Sequence, residues 1–305
     1  MNIIRFATLV VLLVLSSTVT TSAQTFAKQT ELLADKEPAE DINDFINEFY
    51  SSYSSVLKNY VDKNGLVNYP KLRRHRLELL PQILEFANVS ETDFEKWPDN
   101  EKLAFWINAY NFFAINIVIQ NYPIKSPFYA KIWWPGNSIV HIEGFYNNKF
   151  FKIMDLEYNL NEVEQKIIDF NNPGACFAIC RATLGSPGLI RRPYRGFMLE
   201  KQLNDKIKVY LSRNVGVDYI AGDKQLYLSE IFDKNANIFI KNYTKQKRFR
   251  SFEPKIQAAF NFIYAKAAKK TVEVILKATP ETKIEFERKN WRYFMHLNQS
   301  GTDLH

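Results

Sequence analysis

Two cysteines and one serine are the side chains best suited to nucleophilic chemistry in this sequence. Cys176 and Cys180 belong to one short apolar run, and Ser186 follows in the triplet Gly-Ser-Pro. A thiol or a hydroxyl attacks a carbonyl carbon efficiently only when a base such as an imidazole lies beside it. Of the four histidines, His141 is the candidate base for Cys180. The pattern therefore allows a cysteine-dependent hydrolase or acyl transferase with Cys180, Cys176 or Ser186 as the nucleophile.

The same residues can also be interpreted as chemically inert. A cysteine in a buried strand is usually an unreactive packing residue, because burial disfavours the thiolate. Pro187 directly follows Ser186, which does not fit the strand-to-helix turn of a nucleophile elbow. The histidines are scattered and form no carboxylate–histidine pair at ligand spacing, so the sequence predicts no metal site and no cofactor.

Arginines are concentrated in the segment that follows the cysteines. They lie among glycines and prolines within fifteen residues, at Arg181, Arg191, Arg192 and Arg195. Guanidinium groups on a tight loop suit the recognition of a carboxylate or a phosphate, because each can donate two parallel hydrogen bonds. The alternative is that they pair with acidic side chains or face water. The segment predicts a binding site for an anionic group.

A long apolar stretch over residues 101–120 must position these groups. At 100° per residue, its polar side chains Glu101, Asn108, Asn111 and Asn116 fall within an arc of roughly 140°. Burying an amide without a hydrogen-bond partner costs on the order of 1 to 3 kcal/mol. We therefore expect a core helix whose amides meet a polar partner, with Asn108 and Asn111 as candidate ligand-binding residues.

The remaining elements predict an α+β fold, a helix-rich single domain with a small, mostly antiparallel sheet. Residues 124–148 are irregular and are expected to form a lid or a pocket wall, or to pack on themselves. The helix at 101–120 is expected to begin at Asp99 or Asn100 as an N-cap. Further helices are predicted at 41–58, 69–87 with a break at Pro81, 162–170, 199–213 and 253–278. Strands are predicted at 175–180 and 283–286, with hairpins formed by 139–145 with 149–153 and by 215–220 with 225–228.

Several segments of the chain match the motifs of one known family. Residues 105–111 read Phe-Trp-Ile-Asn-Ala-Tyr-Asn, and residues 60–69 contain a glycine, a valine and a tyrosine at fixed spacing. They resemble the signature FWIN-x-YN and the pattern yvd-x-x-G-x-V-x-Y of the domain of unknown function 547 family. Residues 177–187 are similar to HFALxCGAxSCPP, and residues 199–203 to LExQL. The resemblance extends from about residue 41 to about residue 291, which is nearly the whole chain after its N-terminal segment.

The resemblance implies a reactive site that this chain has lost. Family members carry histidines and cysteines that could supply a nucleophile and its base, but other residues occupy those places here. Matched through residues 177–178, Cys176 replaces one histidine, and Arg181 and Ser186 replace the two cysteines. Matched through Glu164, Gln165 replaces a second histidine, and in the C-terminal motif Phe294 stands where the family has an asparagine. An always-protonated guanidinium cannot act as a nucleophile or a base. We therefore expect a protein that binds rather than one that catalyses.

The N-terminus is typical of a secretory signal peptide. A short basic segment, an apolar run and a small-residue cleavage site occupy residues 1–23. Cleavage there predicts a secreted or periplasmic protein without a membrane span, a disordered leader at 24–40, a domain at 41–294 and a tail at 295–305. The alternative is an uncleaved anchor.

The net charge of the chain limits the classes of partner that it is expected to bind. The formal net charge is +7. For a secreted protein this excess does not favour nucleic acid. It indicates either ordinary solubility or attraction to an anionic partner, which could be a small molecule, an envelope polymer or lipid head groups. The sequence leaves the oligomeric state open.

Overall fold

The structure is a computed structural model that describes residues 38–286 and 291–301. The predicted signal peptide, most of the predicted leader and the end of the predicted tail lie outside these residues. The described residues belong to two compact units, divided after Phe49. The first contains the helix α1, Pro38–Phe49, on which Phe45 and Phe49 stack with their ring centroids 6.3 Å apart. The leader was predicted to reach residue 40, and its last three residues form the first turn of α1.

The second unit holds the other helices and all described strands. Tyr50, with φ −93° and ψ 9°, lies between α1 and α2, so the single helix predicted at 41–58 is two helices. The helices of this unit are α2 Ser51–Tyr60, α3 Tyr69–Arg74, α4 Leu80–Asn88, α5 Glu91–Phe94, α6 Asp99–Gln120, α7 Leu160–Asp169, α8 Leu199–Leu211, α9 Glu230–Lys234, α10 Ala236–Tyr243, α11 Pro254–Lys266, α12 Lys269–Ile275 and α13 Trp291–Phe294. Short 3-10 helices occur at Arg76–Leu79, Phe128–Ile132, Ile139–His141, Pro173–Phe177, Gly196–Met198 and Ala221–Asp223. The strands are β1 Phe151–Ile153, β2 Leu156–Tyr158, β3 Val217–Ile220, β4 Gln225–Leu228 and β5 Lys283–Glu285.

The α6 helix is the core helix that the sequence predicted. It is long and apolar enough to cross a membrane, but 94% of its most apolar window is buried inside the protein. Aromatic rings surround it, with Phe86 of α4 lying 5.3 to 5.6 Å from the rings of Phe105, Phe112 and Phe113. The predicted N-cap is wrong, because the extended Pro98 precedes the helix and Asp99 already lies within it.

Helix and strand boundaries differ from the prediction where local turns intervene. The break expected at Pro81 lies earlier, in the 3-10 helix Arg76–Leu79, and Pro81 occupies the first turn of α4, where a missing N–H costs little. The hairpin predicted between 139–145 and 149–153 is wrong. Strand β1 pairs with β2 instead, through Met154 and Asp155, whose φ values of 52° and 58° form the left-handed two-residue turn that suits a hairpin.

The second sheet has the order β3-β4-β5. Strands β3 and β4 form the predicted antiparallel hairpin, and β5 adds parallel to β4. The predicted strand at 175–180 is wrong, because Pro173–Phe177 is a 3-10 helix whose first turn is capped by the Asn172 side chain at 3.0 Å from the Gly174 N–H. The helix-rich α+β class is confirmed.

The segment 294–300 is part of the second unit, although residues 295–305 were expected to form a tail. Its backbone forms hydrogen bonds with residues 182–185 on one side and with Val67 on the other. Leu297 and Asn298 are fully buried. The side chain of Asn298 accepts a hydrogen bond from Tyr69 at 2.7 Å. This segment therefore joins the N-terminal and C-terminal parts of the unit beside the cysteines.

Candidate functional site

The two asparagines of α6 hold the backbone of the arginine loop, which we define as residues 178–196. Asn108 donates to the Tyr194 carbonyl and accepts from the Tyr194 N–H, both at 2.8 Å. Asn111 donates to the Ala178 carbonyl at 2.9 Å and accepts from the Cys180 N–H at 2.8 Å. Each amide thus binds backbone groups as a strand neighbour would, which offsets the cost of its burial. The structure gives both residues a positioning role for the loop.

A buried ion pair fixes the end of the arginine loop. Arg195 Nε lies 3.4 Å from Glu101 Oε1, and both side chains are less than a tenth exposed. The other oxygen of Glu101 accepts from the Gly196 N–H at 2.5 Å. Burial raises the pKa of Glu101, and the Gly196 hydrogen bond and Arg195 oppose this rise. Arg195 is therefore engaged with the protein rather than directed to solvent.

Arg181 also has an acidic partner within the protein, away from Arg195. Its guanidinium forms an ion pair with Glu164 of α7, and both side chains are mostly buried. Burial alone would lower the pKa of Arg181, but the Glu164 carboxylate raises it above the ordinary value for arginine. Arg181 and Glu164 line a pocket with Tyr146 and Gln165, and Arg191 and Arg192 line a separate one. The structure thus distributes the four arginines over several sites.

The thiols are enclosed. Both cysteines are free and at most 3% exposed. Cys180 Sγ accepts from Asn298 Nδ2 at 3.1 Å and lies 3.9 Å from Ser186 Oγ, while that hydroxyl donates to the Thr183 carbonyl at 2.8 Å. Burial raises the pKa of Cys180, and it raises the pKa of Cys176 to about 12.

No described histidine ring makes a hydrogen bond with either thiol. His141, the candidate base, has its Nε2 2.9 Å from the Pro135 carbonyl. The ring of His296 lies 6.1 Å from that of Tyr293. The described residues therefore do not assemble the thiol–imidazole pair that nucleophilic catalysis by Cys180 or Cys176 requires.

A cavity of 660 Å³ opens between α8 and the arginine loop. Gly65 shapes its wall, because its φ of +81° and its close approach to the Leu189 backbone leave no room for a side chain. Leu189 donates its N–H to the Gly65 carbonyl at 3.0 Å. The lining residues are Asp62, Lys63, Asn64, Leu189, Ile190, Arg191, Arg192, Gln202, Asp205, Lys206, Val209, Arg213, Asn214, Val215 and Phe294.

The cavity has an excess of positive charge. Five lysines and arginines line it, against two aspartates. Both aspartates already have partners: Asp62 accepts from the Asn64 and Leu66 N–H groups, and Asp205 forms an ion pair with Lys201 at 2.6 Å. The basic side chains therefore set the electrostatic character of the site.

Lys206 is the residue of this cavity that the sequence analysis missed. It is 7% exposed and makes no hydrogen bond or ion pair with another described residue. Burial lowers its pKa to about 8, and Arg213 contributes to this shift. The helical wheel of α8 could have predicted the burial of Lys206, because Gln202, Lys206 and the buried Tyr210 follow each other at a spacing of four residues on one face.

Arg213 was also missed, because it lies just beyond α8. Its guanidinium donates to the carbonyls of Leu184 at 2.6 Å and Ser186 at 3.3 Å. Burial lowers the pKa of Arg213. Arg213 thus holds the arginine loop against α8 and adds positive charge beside Lys206. Arg191 and Arg192, which the sequence predicted, are exposed at the rim of this cavity, and Arg191 donates to the Lys58 carbonyl at 2.7 Å.

Comparison with known proteins gives the following similarities. A non-reducing polyketide synthase, hmp3, of Hypomyces subiculosus is 32% identical over 95 residues. Those residues are 31% of this chain and 4% of the synthase, so the chain spans a very small part of that protein. No solved structure matches the chain.

The family similarity covers the site itself. Residues 94–211 match the family described as "Protein of unknown function, DUF547". This range contains α6, the arginine loop and α8, which carry both asparagines, the four arginines of the loop and Lys206. Residues 94–211 are therefore a DUF547 region of this chain.

Proposed function

We propose that this chain is a secreted or periplasmic binding protein that holds a small amphipathic anion in the 660 Å³ cavity and releases it unchanged. The observation that carries the proposal is the buried ammonium group of Lys206, which lines the cavity without a partner among the described residues. Removing a charge from water is unfavourable unless an opposite charge or hydrogen-bond acceptors compensate it. A bound carboxylate or phosphate would supply that compensation.

The other lining residues support an anion with an apolar part. Leu189, Ile190, Val209, Val215 and Phe294 line the cavity with aliphatic and aromatic surface. A volume of 660 Å³ falls in the range of about 300 to 1,000 Å³ that is usual for small-molecule sites. Lys206 and Arg213 would face the charged group, and Arg192 at the rim would attract it. Phe294, which the resemblance matches to a family asparagine, adds an aromatic side chain to this wall.

The secreted or periplasmic location is supported by residues 1–23, whose basic, apolar and small-residue segments follow the order of a signal peptide. Cell fractionation and N-terminal sequencing of the mature protein would test it. A cytoplasmic protein that retains Met1 would contradict this part of the proposal.

Anion binding is expected to depend on the charge at the cavity rim. In isothermal titration calorimetry, octanoate and octyl phosphate should bind, whereas octanol and octylamine should bind much more weakly. Arg192→Glu should weaken octanoate binding roughly tenfold, because it replaces an attraction by a repulsion close to the ligand.

The matched control is Arg250→Glu, which reverses the charge of an exposed arginine that does not line the cavity. It should leave the affinity nearly unchanged. Equal losses in the two variants would show that only the net charge of the protein matters. Failure of both octanoate and octyl phosphate to bind would overturn the proposed function.

A further inference from the structure

We infer that Lys206 is a reactive amine that forms a reversible imine with an aldehyde or ketone bearing an anionic group. The inference rests on the proposed function, since the same cavity must admit the ligand. It adds the chemical class of that ligand, a carbonyl compound, and a covalent bond to a named atom, Lys206 Nζ.

The surroundings of Lys206 favour the neutral amine that this reaction requires. The side chain is 93% buried, lines the cavity, and forms no ion pair with a described carboxylate. Its neighbour Asp205 on α8 is paired with Lys201 instead. The positive charge of Arg213 disfavours a second cation at this place, whereas a thiolate at Cys180 would favour one. Burial of the Cys180 thiol keeps that residue neutral, so desolvation and Arg213 dominate.

The reaction needs no reagent beyond the ligand. The lone pair of Lys206 Nζ attacks the carbonyl carbon, and the C–O π electrons move to oxygen. The amine then loses two protons, and the former carbonyl oxygen leaves as water as the C=N bond forms. Arg213 and Arg192 would hold the anionic group of the ligand, and the partly closed cavity would limit hydrolysis of the imine.

Reductive trapping tests the inference. The protein would be incubated at pH 7 with 4-formylbenzoate and sodium cyanoborohydride, and the modified lysines would be identified by peptide mass spectrometry. Lys206 should be labelled at least about tenfold faster than Lys201, an exposed lysine on the same helix, because burial and Arg213 lower the pKa of Lys206. Lys206→Arg should keep a positive charge and lose this adduct.

The outcomes separate the inference from the proposed function. If 4-methylbenzoate binds but 4-formylbenzoate labels lysines only according to their exposure, the inference is overturned and anion binding stands. If neither compound binds, both fail. Should Lys206→Arg not fold, competition decides: excess 4-methylbenzoate should protect Lys206 of the wild type and leave Lys201 labelling unchanged, and equal effects on both would overturn the inference.

A second, independent inference concerns the exposed aromatic loop, which we define as residues 124–135. Phe128, Tyr129, Ile132 and Trp133 are 87%, 73%, 67% and 72% exposed. This region was expected to form a lid or a pocket wall, or to pack on itself, and none of these four side chains lines the 660 Å³ cavity. Four large apolar side chains exposed within six residues mark an interaction surface.

The charge of this loop favours an anionic lipid surface as the partner. Residues 121–142 contain Lys125 and Lys131 and no aspartate or glutamate. Tryptophan and tyrosine prefer the bilayer interface, where the ring meets the acyl chains and its polar atom meets water. Lysines beside them are attracted to anionic headgroups. We propose that the aromatic loop inserts into the headgroup region of an anionic bilayer.

Hydrogen bonds to the rest of the protein hold the backbone of the loop in place, so the aromatic side chains lie together on one exposed surface. Trp134 donates its N–H to the Ala130 carbonyl at 2.9 Å, and Arg292 donates to the Lys131 carbonyl. His141 lies with its Nε2 2.9 Å from the Pro135 carbonyl. Little further ordering is needed on binding, which lowers its entropic cost.

Vesicle sedimentation tests this proposal. The purified protein should sediment with vesicles of equimolar phosphatidylcholine and phosphatidylglycerol, more weakly at high salt, and poorly with phosphatidylcholine alone. The double variant Phe128→Ser/Trp133→Ser should bind at least about tenfold more weakly. The control Leu77→Ser/Leu276→Ser removes two exposed leucines elsewhere and should bind like the wild type. Unchanged binding of the aromatic variant, or a dimer that this variant dissociates, would overturn the proposal.

Discussion

Lys206→Met is expected to weaken octanoate binding at pH 7 by about 100-fold relative to the wild type. The substitution removes the buried charge that would neutralise the carboxylate, and such charge-assisted contacts contribute roughly 2 to 3 kcal/mol. Isothermal titration calorimetry measures the loss. Lys201→Met, an exposed change on the same helix, is the control and should bind like the wild type.

The same variant should be more stable than the wild type at neutral pH. The pKa of Lys206 is about 8 in the folded protein and 10.5 in an unperturbed lysine, so the unfolded state binds more protons between these values. The wild type therefore becomes more stable as pH rises through this window, and loses that stability as pH falls towards 8. Lys206→Met lacks this dependence and should gain ~3 kcal/mol at pH 7.

Urea unfolding of both proteins between pH 7 and pH 10.5 checks this expectation. The difference in unfolding free energy should be largest at pH 7 and should shrink as the pH rises. Both proteins contain the same tyrosines and cysteines, whose titration largely cancels in the difference. A difference that does not change with pH would mean that the Lys206 ammonium is not desolvated in the folded protein.

Asn111→Leu is expected to lower the free energy of unfolding by about 3 kcal/mol. The change leaves the Ala178 carbonyl and the Cys180 N–H buried without their partner, and each unsatisfied group costs about 1 to 3 kcal/mol. Urea unfolding gives the loss. Hydrogen exchange should also show faster exchange in the arginine loop than in the sheet β3-β4-β5.

The matched control for this variant lies on the same helix. Asn116 is 6% exposed and makes no side-chain hydrogen bond with another described residue, so Asn116→Leu should change stability by less than about 1 kcal/mol. Similar losses for the two substitutions would attribute the effect to overpacking of α6 rather than to the amide bonds of Asn111.

The sequence predicted the elements whose patterns are local and strong. The amphipathic α8 was predicted because its apolar side chains repeat with the helical period, and α6 was predicted because its apolar run is too long for a strand. The hairpin β3-β4 was also predicted. The strand predicted at 175–180 was wrong because an apolar run of this length fits an irregular buried segment equally well. Its backbone forms hydrogen bonds with the side chain of Asn111, which lies 69 residues from Cys180 in the sequence, where a strand would pair with another strand.

The site was predicted in part, for a related reason. Asn108 and Asn111 were recognised as buried amides in need of partners, and the partners that the structure shows are backbone groups of the arginine loop. Arg181 and Arg195 were recognised as charges, but Glu164 and Glu101 lie far from them in sequence and near them in space. Lys206 was missed because its burial depends on the arginine loop, which the helical period of α8 alone does not place.

The site is completed late in translation, because the segment 294–300 is synthesised after the other residues of the site. Tyr69 and Asn298 are hydrogen-bonded across 229 positions of the chain, and Asn298 also contacts Cys180. Gly185 has no room for a side chain because Phe294 lies against it. A nascent chain that has not reached residue 300 therefore lacks one wall of the cavity and the residue that covers the Cys180 thiol. Arrested translation products that end before this segment should expose that sulfur to oxidation, which the finished protein avoids.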